Sequence, residues 1–276
     1  LGKTSDADCY ADLAQKVTKA FNDEFVTPTG RIGPNTQTAY VLALHFDLLP
    51  EAMRPLAAKR LAEDIRRGGY HLTTGFVGTP YLCHVLSRYG YTDVAYKLLN
   101  QEEYPSWLYP VKQGATTIWE RWDGIKPDGS FQDAGMNSFN HYAYGAVGDW
   151  LYQVVAGIEV DPEAPGYKRI FIQPQPGGGL TYAKAALDSM YGRIQSKWTL
   201  DNDVFQLAVT IPPNSQAVVR LPTHAIENIT EQGQPLDQVT GISEIRQEGE
   251  TTVLHIGSGQ YIFAVDKCEM LHSTGG

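Results

Sequence analysis

Apolar positions recur every fourth residue from Ser5 to about Phe25, where Cys9, Leu13, Val17, Phe21 and Phe25 fall on one helical face. Thr27-Pro28-Thr29-Gly30 ends that helix. A second helix is predicted over Thr36–Leu49, apolar nearly all round, and a third over Glu51–Arg67, ending at Gly68-Gly69. Thr79 as cap and Pro80 in the first turn open a fourth that Gly90 closes, and Thr92-Asp93 opens a fifth through Leu99. A sixth runs from about Asn140 to Ala156 and stops at Gly157. Short connections near residues 49–51 and 90–92 make antiparallel helical hairpins. Two long connections, 71–80 and 104–140, are aromatic and glycine-rich, which marks the end of the array that carries a site.

Beyond "VDPEAPGYKRIFIQPQPGGG" the period changes to two. Ile194, Ser196, Trp198 and Leu200 alternate with their neighbours, as do Phe205, Leu207, Val209 and Ile211, and "AVVRLP" and "YIFAV" read as further strands. The expectation is an α+β multidomain chain: a helical domain over 1–162 and an antiparallel β-sandwich over 163–276, with the boundary near 160–168.

At 276 residues and 42% hydrophobic, the chain can build a sizeable core. A net charge of −9 without a Lys/Arg cluster argues against nucleic acid, and no apolar run is long enough to cross a bilayer. The three cysteines, Cys9, Cys83 and Cys268, lie far apart and read as free and structural, leaving cytoplasm, periplasm and secretion open. Residue 1 is Leu rather than Met, which predicts further sequence upstream. No cofactor or metal is expected, since no His/Cys/Asp spacing suits a metal and "QPGGGL" is a turn without a phosphate-binding context.

The candidate chemistry sits in "ATTIWERWDG", residues 115–124. Glu120, Asp123, Asp128 and Asp133 are interleaved with Trp107, Tyr109, Trp119, Trp122 and Phe131. Aromatic faces suit the apolar C–H face of a pyranose, while carboxylates accept its hydroxyls and handle protons. Each residue has a plainer alternative. Glu120 could be a surface carboxylate paired with Arg121, Asp123 a turn former, His141 a satisfied core histidine. Asp128 in "KPDGS" reads as a turn residue, and Asp149 as a buried structural hydrogen-bonding group.

"LTTGFVGTPYLCHVLSRYGYTDVAYKLL", "GATTIWERWDG", "SFNHYAYGAVGDWLYQVVAGI" and "GYKRIFIQPQPGGGLTYAKAALDSMYGRIQSKW", in the same sequence order, closely resemble the C-terminal portion of bacterial α-L-rhamnosidases of glycoside hydrolase family 78. The resemblance implies an (α/α)6 barrel, partial here, followed by a β-sandwich, and inverting hydrolysis of terminal α-L-rhamnosyl residues in a rhamnose-containing oligosaccharide or glycoside. It implies that Glu120 is the general base, that His141 contacts the sugar, and that Trp119, Trp122 and Asp123 wall and support the pocket. Nothing before Glu120 matches the family's general acid, so the chain is expected to be the base-bearing fragment, prone to self-association or to docking with an N-terminal portion. Two alternatives are a non-catalytic carbohydrate-binding scaffold and another (α/α)6 hydrolase or phosphorylase, the latter thinly supported by Arg121 and Lys126.

Overall fold

The computed structural model describes residues 2–201 and 204–265, so Cys268 lies outside the described residues. Two compact units divide the chain, Leu1–Val147 and Gly148–Gly276.

The first unit is helical: α1 Thr4–Phe25, α2 Gln37–His45, α3 Arg54–Arg67, α4 Thr79–Arg88, α5 Thr92–Leu99 and α6 Leu108–Lys112. Its core forms where α2 meets α3 and α4, and α4 meets α5. Val41, Leu44, Leu61, Ile65, Leu82, Val85, Val94 and Leu98 are fully buried there, at the helical spacing read from the sequence. The third predicted helix is a short 3-10 turn, Glu51–Met53, followed by α3, whose Pro55 fits the first turn because no intrahelical donor is needed there.

Four expectations are corrected. Thr79 does not cap α4: Gly78 holds that position, and the Thr79 hydroxyl instead bonds the Thr74 hydroxyl at 2.8 Å. The sixth helix is not one α-helix but a 3-10 turn at Tyr142–Ala146, a short helix α7 at Val147–Trp150 and a π-helical turn at Leu151–Val155. Gly145 and Gly148 weaken the α form there. Asp149 is exposed rather than buried and accepts a 2.9 Å bond from Gln153 Nε2. The regular face read into α1 is real in spacing but uncovered: the helix has no buried residue, and Tyr10, Leu13, Val17 and Phe25 are exposed. Asn22 Nδ2, donating to Leu48 O at 2.7 Å, and the Val26–Ile32 bridge fix its C-terminal end.

The second unit pairs β1 Ile158–Val160, β2 Arg169–Ile172, β6 Gln216–Leu221, β10 Thr251–Ile256 and β9 Ile242–Glu248 in one sheet, in the order β1-β2-β6-β10-β9. The other sheet runs β3-β4-β5-β11-β7-β8, from β3 Tyr182–Ser189, β4 Gly192–Asp201, β5 Val204–Ile211, β11 Gly259–Val265, β7 Ile229–Glu231 and β8 Gln234–Pro235. Among the described residues every strand pairing is antiparallel except β2 with β6. Trp198, Phe205, Leu207 and Phe263 from one sheet and Ile170, Ile172, Val219 and Leu254 from the other are buried, the alternation expected of inward-facing positions. Trp198 Nε1 and Ser196 Oγ reach Val155 O and Ala156 O at 2.7 and 2.6 Å, so both buried donors of β4 are satisfied. Gly157, at φ +82, has no room for a side chain: a Cβ would lie 2.2 Å from Pro174 N.

Burial pushes the Cys83 thiol up to about 12, because the thiolate would be desolvated, whereas Cys9 is exposed. Alkylation of the native chain at pH 8 should therefore modify Cys9 and spare Cys83, read by mass mapping. The thiol titrates higher folded than unfolded, so its contribution to stability is present below the ordinary thiol range and is lost as the pH rises from there towards about 12.

Candidate active site

Two segments of the long connection run against each other. The Glu120 N–H donates to Ser138 O at 2.9 Å and the His141 N–H donates to Ile118 O at 2.9 Å, so residues 118–120 and 138–141 pair antiparallel. The Thr117 hydroxyl adds a bond to Phe139 O. This pairing brings Glu120 and His141, 21 positions apart in sequence, onto neighbouring strand-like segments. The Ser138 N–H then donates to Glu120 Oε2 at 2.8 Å, while Oε1 has no hydrogen-bond partner among the described residues. One carboxylate oxygen is held by the backbone and the other is not.

The ion pair between Glu120 and Arg121, the plainer alternative for this glutamate, does not form. Arg121 turns away, with Nε donating to Met136 O at 3.0 Å and a guanidinium nitrogen 3.9 Å from Asp133.

Asp123 lies in the turn closed by the Gly124 N–H on Arg121 O at 3.2 Å. Asp128 is a turn residue, accepting Ser130 N at 3.0 Å and Ser130 Oγ at 2.7 Å, which holds its carboxyl below the usual range. The glycine after Asp123 is required by space rather than by conformation. A Cβ on Gly124 would sit 2.9 Å from Asn137 Oδ1, 3.1 Å from Phe139 and 3.2 Å from Trp119.

Trp119 is buried, edge-on to Phe139 at 5.2 Å, and so supports the paired segments from beneath. Trp122 is half-buried and lies flat on Tyr144, ring centres 3.8 Å apart, with Trp107 edge-on to it at 5.6 Å. Trp107 Nε1 donates to Tyr144 O at 2.9 Å, fixing this aromatic set to the turn after His141. Ser106 Oγ accepts the Tyr109 N–H at 3.0 Å at the start of α6, a five-residue helix inside the long connection. Phe76, from the 71–80 connection, stacks on the His141 imidazole at 4.7 Å and 13° and meets Tyr144 at 5.0 Å. His141 caps the turn at Tyr142–Ala146, its Nδ1 accepting the Ala143 N–H at 3.5 Å. Neither Phe76 nor Tyr144 was singled out from the sequence. The available signal was a lone aromatic between two glycines for Phe76, and the repeated tyrosines of "HYAYG" for Tyr144.

Burial raises the Tyr144 phenol above its ordinary value, with Tyr104 and Glu120 acting the same way against an opposing Arg121. Tyr109 is raised by burial and then by Asp123, Asp128 and Tyr104. These phenols remain neutral hydrogen-bonding groups well into alkaline pH. Among the described residues no group of three His, Cys, Asp or Glu is arranged to hold a metal.

Residues 1–155 match the bacterial alpha-L-rhamnosidase 6 hairpin glycosidase domain and residues 157–235 the bacterial alpha-L-rhamnosidase C-terminal domain. The chain belongs to this rhamnosidase family. An alpha-L-rhamnosidase of Streptomyces avermitilis is 44% identical over 265 residues, which are 96% of this chain and 25% of that protein. One from Formosa agariphila is 41% identical over 95% of this chain and 28% of its own length. The crystal structure of the Streptomyces avermitilis enzyme complexed with L-rhamnose superposes with a TM-score of 0.87 at 43% identity, over 94% of this chain and 24% of that one. A native rhamnosidase from Aspergillus terreus superposes at 0.84 and 38% identity, over 96% of this chain and 28% of that one. The chain thus spans about a quarter of the length of these relatives.

Replacing Gly124 with Ala should force Asn137, Phe139 and Trp119 apart and cost about 1 to 3 kcal/mol, measured by urea unfolding. The Ser138 amide should exchange faster in the variant, because Asn137 Nδ2 donates to Gly124 O at 2.7 Å and ties the two segments together.

Proposed function

We propose that this chain carries the general-base half of an α-L-rhamnosidase site that hydrolyses terminal α-L-rhamnosyl residues with inversion. The observation that supports it most is the Glu120 carboxylate, gripped on Oε2 by the Ser138 N–H, on a segment whose backbone pairs with the one that carries His141. In this reading Glu120 Oε1 takes the proton of a water that attacks the anomeric carbon as the glycosidic bond to the leaving oxygen breaks. The proton that the leaving oxygen acquires comes from an acid in sequence outside these 276 residues, roughly 6.5 to 9.5 Å from the base, as inverting hydrolysis requires. His141 hydrogen-bonds a sugar hydroxyl, Trp122 and Asp123 line the pocket, and Trp119 supports it.

Family membership supports this substrate class, and the aromatic residues suit a 6-deoxy sugar because its methyl group gains from leaving water. In the longer protein, sequence outside this chain would cover the exposed α1 face formed by Tyr10, Leu13 and Val17, and in its absence that face would drive self-association. No helix of the described residues is long and apolar enough to cross a membrane.

Glu120→Gln, in the chain or in the longer protein that contains it, should lower the hydrolysis of an aryl α-L-rhamnoside by a factor of about 10² to 10⁴ while rhamnose still binds. Binding without turnover by the unaltered chain would favour the base half of a divided site. Turnover unaffected by the substitution would remove Glu120 as the base.

A further inference from the structure

The 71–80 connection is held more firmly than a surface loop needs to be. Gln37, buried in α2, donates through Nε2 to His71 O at 3.2 Å and accepts the Thr73 N–H on Oε1 at 2.8 Å. The buried Thr74 and Thr79 hydroxyls bond each other at 2.8 Å, and Thr79 also reaches Thr74 O at 3.2 Å. The Gly78 and Thr79 N–H groups both close on Gly75 O, and Gly78 packs so tightly that a Cβ would lie 2.9 Å from Thr38 Oγ1. Between these anchors stands Phe76, 41% exposed although its backbone is fixed on both sides. What that fixed, exposed ring touches is the His141 imidazole, nearly parallel at 4.7 Å, and Tyr144.

We infer that Phe76 is a positioning residue for His141, setting the plane in which the imidazole presents Nε2–H to a sugar hydroxyl. The inference rests on the rhamnosidase reading for the identity of the ligand, and on geometry alone for the positioning. With Nδ1 accepting the Ala143 N–H at 3.5 Å, the neutral ring carries its proton on Nε2, which makes that atom the donor. A 3.5 Å bond is too long to fix the ring's rotation by itself. The face-to-face Phe76 contact removes that freedom, and Tyr142, at 6.1 Å and 18° to the imidazole, lies in the same orientation. The donor is then preorganised, so that the ordering cost is met in folding rather than at binding.

Phe76→Ala removes the flat partner and Phe76→Tyr keeps it. The probe is L-rhamnose itself, titrated calorimetrically against the chain, together with the 15N shifts of the His141 ring nitrogens at pH 8. Phe76→Ala should weaken rhamnose binding about two- to tenfold, the range of an aromatic contact, and mix the His141 tautomers. Phe76→Tyr should match the unaltered chain in both, and all three should melt together, since an exposed ring contributes little to the core. Unaltered tautomer shifts in Phe76→Ala would overturn the inference, whether or not rhamnose binds. Failure of the unaltered chain to bind rhamnose, with the tautomers still mixing in Phe76→Ala, would count against the rhamnose reading alone and leave the positioning role supported.

Discussion

The pairing of residues 118–120 with 138–141 is the constraint on which the site depends. A carboxylate in a 37-residue connection has no fixed direction until backbone hydrogen bonds supply one. Here the Glu120 and His141 amides tie the two segments, and the Ser138 amide takes hold of the carboxylate itself. Trp119 and Phe139 fill the space beneath, Gly124 is small because they do, and Asn137 closes the loop onto Gly124 O. Asn137 Oδ1 is left buried without a partner, a cost that the rest of the arrangement has to offset.

On that base the aromatic residues form a second layer. Trp122 and Tyr144 stack, Trp107 anchors Tyr144 through its carbonyl, and Phe76 arrives from a different connection to meet both Tyr144 and His141. Four separate stretches of chain therefore meet around Tyr144 and the paired segments that carry Glu120 and His141. The two aromatic, glycine-rich connections of the helical unit, 71–80 and 104–140, supply these residues. The arrangement also fits the family assignment, since relatives of known structure share this fold at TM-scores of 0.84 to 0.87.

Much of the fold was legible in the sequence, because periodicity records which face of an element is buried. α3, α4 and α5 and the strands β4, β5, β6 and β11 lie where their apolar spacing put them. The α6 helix was hidden by its five-residue length and by Pro110, and the 3-10 and π turns after His141 by a pattern that looked uniformly helical. Parallel pairing of β2 with β6 joins residues 47 apart and leaves no local trace, as at Arg169 with Gln216. In the site, the unusual density of Trp, Glu and Asp drew attention to Glu120, and the family resemblance gave it a role. Nothing local told that Arg121 would turn to Asp133, nor that Phe76 would cross 65 positions to reach His141.

The most direct test is a titration of the 15N-labelled chain with L-rhamnose, followed through the Ser138 amide, the Trp122 indole N–H and the His141 ring. Saturable shifts confined to these groups, with the Trp198 indole of the β unit unmoved, are the result this account predicts. Shifts that spare Ser138 and His141, or that gather on the strands of Gly148–Gly276, would contradict it.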